Sequence, residues 1–171
     1  MTISCYVKFG SMKQQYKNSA AIVLGMHDAL VSQTGIITGL AFALTDSKLI
    51  VITGVISAVA DGLSMLASNY LAERERTTTR NAILAGIYTG IAYLGTSALL
   101  LIPFFITNNV RPAIISSFTI AVIIIFLFNY CMGRHSGRGI WYRFFEMLAI
   151  CAGVSIIAFA IGEFAKSILS I

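Results

Sequence analysis

The sequence predicts an all-α, polytopic membrane protein of five transmembrane helices, with the N-terminus cytoplasmic and the C-terminus outside. Hydrophobic residues make up 57% of the 171-residue chain and charged residues only 11%. A soluble domain carries about 25% charged residues, so too few are present here to cover a water-facing surface. The apolar residues fall in runs long enough to cross a hydrocarbon core of about 30 Å at 1.5 Å per residue. Short polar turns separate those runs, and the basic residues gather on alternate turns.

The formal net charge of +5 does not indicate a nucleic-acid partner, because the lysines and arginines are scattered between apolar runs without a dense cluster. Cys5, Cys131 and Cys151 have neither CxxC spacing nor an accompanying histidine pattern. A disulfide framework and a zinc site are therefore not indicated, and no resident cofactor is expected.

The elements follow in order. Residues 1–19 are polar and lysine-bearing, without the apolar core and small-residue cleavage site of a signal peptide, and read as a cytoplasmic tail. Residues 20–171 form the five-helix membrane domain. The first span is expected over 20–44, interrupted by His27 and Asp28. Thr45 to Lys48 make a tight turn, with a helix cap at Asp46 or Ser47. The second span begins at Leu49 and runs on as an exposed helix to Thr77.

The third is expected over 81–106, with Pro103 near its end, and TNNVRP then makes a turn from which Pro112 opens the fourth, 112–132. The IAVIIIFLF run of that helix has no ionisable residue, as expected of a lipid-facing or space-filling helix. GRHSGRG reads as a basic, glycine-rich loop suited to headgroups, and Trp141 and Tyr142 stand where an aromatic belt would open the fifth span, 141–165. Gly35 with Gly39, and Gly86 with Gly90, have the spacing of close helix packing.

Orientation follows from the basic residues, which favour cytoplasmic turns. Lys8, Lys13, Lys17, Arg74, Arg76, Arg80, Arg134, Arg138 and Arg143 fall on one side, and only Lys48, Arg111 and Lys166 on the other.

The chemistry lies in the intramembrane acids. A tight turn makes the first two helices antiparallel neighbours. Asp28 lies about eight residues in from the start of its helix and Asp61 about nine before the end of its own, so they reach nearly the same depth. An acid at the centre of a membrane helix costs about 2.5 to 3.5 kcal/mol on insertion scales, and no lysine or arginine lies at that depth. Glu146, about five residues into the fifth helix from the same side, adds a third acid. Protonation of some acids, or a cation among them, relieves such a cluster; both describe a proton-coupled cation carrier.

Met65, Asn69 and Glu73 continue from Asp61 at intervals of four residues and share its helical face. A thioether suits transition metals such as ferrous iron better than sodium, calcium or magnesium. Taken alone, Met65 also fits simple packing, Asn69 a bridge between helices, and Glu73 a solvated helix end. His27 is a further ligand, a relay or an interface residue, and adjacent helical residues point about 100° apart, so it need not share a cavity with Asp28.

AIVLGMHDALVSQTGIITGLAFA and ISAVADGLSMLASNYLAERE resemble the first two helices of the vacuolar iron transporter family. That family carries G-x-x-D-[GA]-L-V in helix one and small-x-x-S-M-x-x-x-E-Y in helix two. WYRFFEMLAICAGVSIIAFAIG is similar to its fifth helix, notably in bacterial members fused to a ferritin-like domain. The resemblance implies a homodimer with a pathway at the subunit interface, exchanging ferrous iron or manganese for protons, and places Asp28 and Met65 on the metal pathway. The chain departs from the pattern in three places. Asn69 stands where the family has glutamate, Asp61 where many members have a small residue, and RERTTTRN where its iron transporters have a long glutamate-rich segment.

The expected function is export of Fe2+ or Mn2+ from the cytoplasm against protons by a homodimer in the cell membrane rather than an organelle membrane. The expected metal-contacting residues are Asp28, Asp61, Met65, Asn69 and Glu146. The competing reading is a non-transporting scaffold or accessory subunit whose polar seam serves assembly. The chain has no HExxH, no phosphate loop ending in lysine, and no nucleophile with base and orienter, so an enzyme is not expected.

Overall fold

Each apolar run becomes one long helix, because in hydrocarbon every backbone N–H and C=O must be paired within the chain and a helix does this within one segment. A computed structural model describes the backbone of residues 2–43, 46–107, 109–136 and 140–169, and the side chains of 19–43, 46–107, 109–130 and 141–168. Lys8, Lys13, Lys17, Cys5, Cys131, Arg134 and Arg138 have side chains outside that set.

The helices are α1 (Thr2–Ala43), α2 (Ser47–Arg74), α3 (Thr79–Ile106), α4 (Val110–Ser136) and α5 (Ile140–Leu169), with no strand among the described residues. Within them, Ser19–Ala43, Ser47–Arg74, Thr79–Ile106, Val110–Tyr130 and Trp141–Ile168 are each long and apolar enough to cross a membrane. The chain is a multi-pass integral membrane protein.

Local chemistry sets the boundaries. Asp46 caps α2, its Oδ1 accepting from the Lys48 amide at 2.9 Å. Beside it the Ser47 hydroxyl reaches the Phe104 and Thr107 carbonyls at 3.2 and 3.3 Å, tying the start of α2 to the end of α3. α2 stops at Arg74, short of the expected Thr77, as the Thr77 amide closes a turn on the Glu73 carbonyl at 2.9 Å. α4 opens at Val110 rather than at Pro112. Proline in a first turn forfeits no helical hydrogen bond, so it need not be the first residue. Part of the expected basic loop is also helical backbone, since α4 runs to Ser136.

α1 is the centre of the bundle and touches each of the other four helices. Small residues let it do so. A Cβ added at Gly25 would run into the Thr89 carbonyl of α3, and one at Gly162 of α5 would come within 2.6 Å of the Gly39 carbonyl of α1. Gly86 meets α2 in the same way, with the Leu66 carbonyl 2.7 Å from an added Cβ. The tightest seams are thus α1–α3, α1–α5 and α2–α3, closed by backbone approach in the manner of membrane helices.

The ends of the bundle differ in character. One carries Arg74, Arg76, Arg80, Trp141 and Tyr142, and is called the charged end below; the other carries the α1–α2 and α3–α4 turns. α1, α3 and α5 leave the charged end, and α2 and α4 return to it. An apolar cluster including Leu30, Ile37, Ile50, Leu100, Phe104 and Ile125 fills the interior toward the turn end.

Candidate functional site

α2 is packed along a narrow seam of Ser47, Ile50, Gly54, Ala58 and Gly62, while Leu49, Ile52, Val55, Ile56, Val59 and Leu63 are exposed. Asp61, Met65, Asn69 and Glu73 run along the margin of that seam, all half-buried, so the predicted stripe exists as one face.

Asp61 is held by two hydroxyls. Its Oδ2 accepts from the Ser57 hydroxyl, one turn away, at 2.9 Å and from the Tyr93 hydroxyl of α3 at 3.1 Å. The Tyr93 oxygen lies 2.6 Å from Ser32 Oγ of α1. Tyr93 has one proton and an ionised carboxylate has none, so the Ser32 hydroxyl donates to Tyr93, and Tyr93 donates to Asp61. Three helices converge on one carboxylate oxygen through these bonds. Each hydrogen bond to a charged acceptor contributes about 1.5–3 kcal/mol, comparable with the cost of placing the acid at this depth.

Asp28 of α1 lies close enough to Asp61 for the two charges to interact, and it has no hydrogen-bond partner among the described residues. The pair deduced from depth along two antiparallel helices is therefore brought together. Its members differ: Asp61 is held by hydroxyls, whereas Asp28 is free to meet a cation or take up a proton.

Asn69 bridges α2 and α3. Its amide donates to Thr89 Oγ1 at 2.5 Å and lies 3.2 Å from the Ala85 carbonyl. Thr89, fully buried, lies 3.1 Å from the Ala21 carbonyl of α1 and 3.0 Å from that of Ala85. This clasp joins α1, α2 and α3 two turns nearer the charged end than Asp61. It commits the Asn69 nitrogen to structure.

Glu146 does not join the aspartates, contrary to the expectation of a third acid at the site. It is exposed and lines a cavity of about 320 Å³ with His27, Asn129 and Arg143. α5 packs on the flank of α1 that presents His27, and residues 27 and 28 point about 100° apart, so equal depth does not bring Glu146 round to Asp28. The His27 ring meets Phe128 edge-on, with centroids 5.1 Å apart. Among the described residues no three His, Cys, Asp or Glu side chains cluster as a ready metal site within one chain.

From the level of Asp61 a groove of about 690 Å³ runs between α1, α2 and α5 toward the turn end. Ser32, Ser57 and Thr53 line it beside Gly35, Gly39 and Gly162, giving a mostly apolar channel with hydroxyls on its walls. Two of those hydroxyls, Ser32 and Ser57, also belong to the Asp61 network.

Ser32, Ser57, Thr89 and Tyr93 were not legible as site residues. Isolated hydroxyls in apolar helices have no diagnostic spacing, and most satisfy themselves on the carbonyl one turn back, as Thr34, Thr38, Thr53 and Thr96 do. Gln33 was equally hidden. It is fully buried and neither amide atom finds a protein partner.

No curated protein matches the chain significantly. A sequence model of one family does, over residues 19–82 and 72–163, which together take in every described membrane span except the last few residues of α5. On the strength of that match, the chain belongs to the VIT family.

Proposed function

We propose that the protein carries a divalent transition metal, Fe2+ or Mn2+, out of the cytoplasm in exchange for protons, acting as a homodimer. Membrane metal-ion transport is the functional class that VIT membership suggests, and it is not an enzymatic one. The observation that supports the reading most strongly is the Asp28–Asp61 pair: two carboxylates close enough for their charges to interact inside membrane spans, with no lysine or arginine beside them on α1 or α2. An intramembrane acid without a basic partner is stabilised by a proton or by a cation, and exchange between those two states is antiport.

One protomer supplies two such carboxylates and one thioether, too few to hold a metal alone. A second copy related by a two-fold axis along the exposed face of α2 would double the set to four carboxylates and two thioethers. Ser64 and Ser68, exposed on that helix beside Met65 and Asn69, suit a polar pathway better than lipid. In this arrangement Asp28, Asp61 and Met65 meet the cargo, while Asn69 holds α2 against α3 and offers only its carbonyl oxygen. Glu146, on the other flank of α1, serves as a local proton or cation acceptor near the charged end.

That end faces the cytoplasm by the distribution of lysine and arginine. The N-terminus is then cytoplasmic and the C-terminus outside, and the groove between α1, α2 and α5 leads outward. The cell membrane is the expected location.

The reading is tested by titrating purified protein with Fe2+, Mn2+, Co2+, Zn2+ and Mg2+, for the wild type and Asp61→Asn. Binding of transition metals but not Mg2+, lost in the variant, is the expected result. A wild type that binds none of them, with a dimer weakened by Asp28→Asn and Asp61→Asn together, would instead favour a scaffold whose polar seam serves assembly.

A further inference from the structure

Asp61 has two surroundings. On one side Ser57 and Ser32 open onto the groove that the proposed cargo follows. On the other stands Tyr93, with no exposed surface. Beside Tyr93 lies a side chain that neither the fold nor the transport reading explains.

Gln33 of α1 is fully buried, lies beside the Tyr93 hydroxyl, and leaves both Nε2 and Oε1 without a protein partner.

The Gln33 amide, one donor and one acceptor, thus stands unbonded in the protein interior beside the Tyr93 hydroxyl. Buried polar groups in native proteins are almost always satisfied, and a buried water typically makes about three hydrogen bonds to groups of this kind.

We propose that Gln33 and Tyr93 hold an ordered water that joins Asp61 through the Tyr93 hydroxyl, and that this is the proton branch of the pathway, separate from the cation's groove. A proton leaving protonated Asp61 moves onto Tyr93 Oη as the phenol's own proton moves onto the water. The phenol is restored, and one proton has passed from carboxyl to water. The reverse sequence reloads the acid. The titratable groups facing this branch are Asp61 of α2 and, through its charge, Asp28 of α1; Arg143 of α5 lies on the other flank of α1, beside His27. Tyr93 and Gln33 act here through Asp61 and do not touch the cargo.

The proton role rests on the transport reading above, whereas the water site does not, and the two are read separately. Radiolytic hydroxyl footprinting of the full chain in nanodiscs, followed by mass spectrometry, reports water held next to a side chain. Tyr93 is expected to be modified in the wild type despite its burial. Gln33→Leu, which keeps the volume but removes the amide, should abolish that modification while Trp141 and Tyr142 remain modified. An unmodified Tyr93 in the wild type, or equal modification in Gln33→Leu, overturns the site.

In proteoliposomes with Mn2+ as the probe, Gln33→Leu should slow Mn2+-driven proton movement by at least about tenfold while leaving the Kd for Mn2+ unchanged. Wild-type proton movement in Gln33→Leu overturns the branch. If the wild type itself moves no Mn2+, the transport reading and the branch fall together, and footprinting still decides the water site.

Discussion

The hydroxyl of Tyr93, on α3 and without exposed surface, donates across 3.1 Å to Oδ2 of Asp61, half-buried on α2. This bond holds the carboxylate against the protein interior and leaves Oδ1 as the atom available to a cation. Tyr93→Phe removes it with little change of shape. The variant is expected to lose about 1.5–3 kcal/mol of stability in SDS-titration unfolding at neutral pH, as for other hydrogen bonds to charged groups. Unchanged stability would show that Tyr93 does not hold Asp61.

The Asn69–Thr89 clasp is a structural device and should behave as one. Thr89→Val strips the acceptor from the Asn69 amide in a buried setting and is expected to cost about 1–3 kcal/mol. Metal binding per folded protein should not change, which isothermal titration on the folded fraction would measure. Weaker metal binding by Thr89→Val would instead assign Asn69 to the cargo.

Helix seams closed by backbone approach predict opposite outcomes for the same substitution. Gly25→Ala sets a methyl against the Thr89 carbonyl and is expected to destabilise by about 1–3 kcal/mol, because the obstruction is backbone. Gly95→Ala and Gly153→Ala meet nothing within 4 Å and should be neutral or stabilising, by up to about 1 kcal/mol of helix propensity. Thermal unfolding of the three variants in detergent makes the comparison.

The five spans were legible because apolar runs of membrane length have few alternatives, and the Asp28–Asp61 pairing because a tight turn fixes the relative depth of two antiparallel helices. Depth, however, does not specify rotation. Glu146 reaches a similar level on the wrong flank of α1 to meet Asp28, and only the packing of α5 decides that. Asn69 reads as a ligand from its stripe and as a bridge from its partner, Thr89, which lies twenty residues away and has no spacing signal. Gln33 and Tyr93 look like two polar interruptions of apolar helices until the packing of α1 on α3 sets them side by side.

Proton exchange at the acid pair has a definite sign. A proton and a cation compete for Asp28 and Asp61, so acidifying the side from which metal loads should reduce its uptake. Initial rates of Mn2+ movement in vesicles with the loading side stepped downward in pH are expected to fall. Rates that rise or stay level would rule out competition.

The central claim is that the two aspartates carry the cation through the membrane. The most direct measurement is metal flux into proteoliposomes, with Fe2+ held reduced or with Mn2+, for the wild type, Asp28→Asn, and Asp28→Asn combined with Asp61→Asn. The account predicts flux above that of empty vesicles for the wild type and none for either variant, with all three folded and inserted alike. Undiminished flux in the double variant would contradict it.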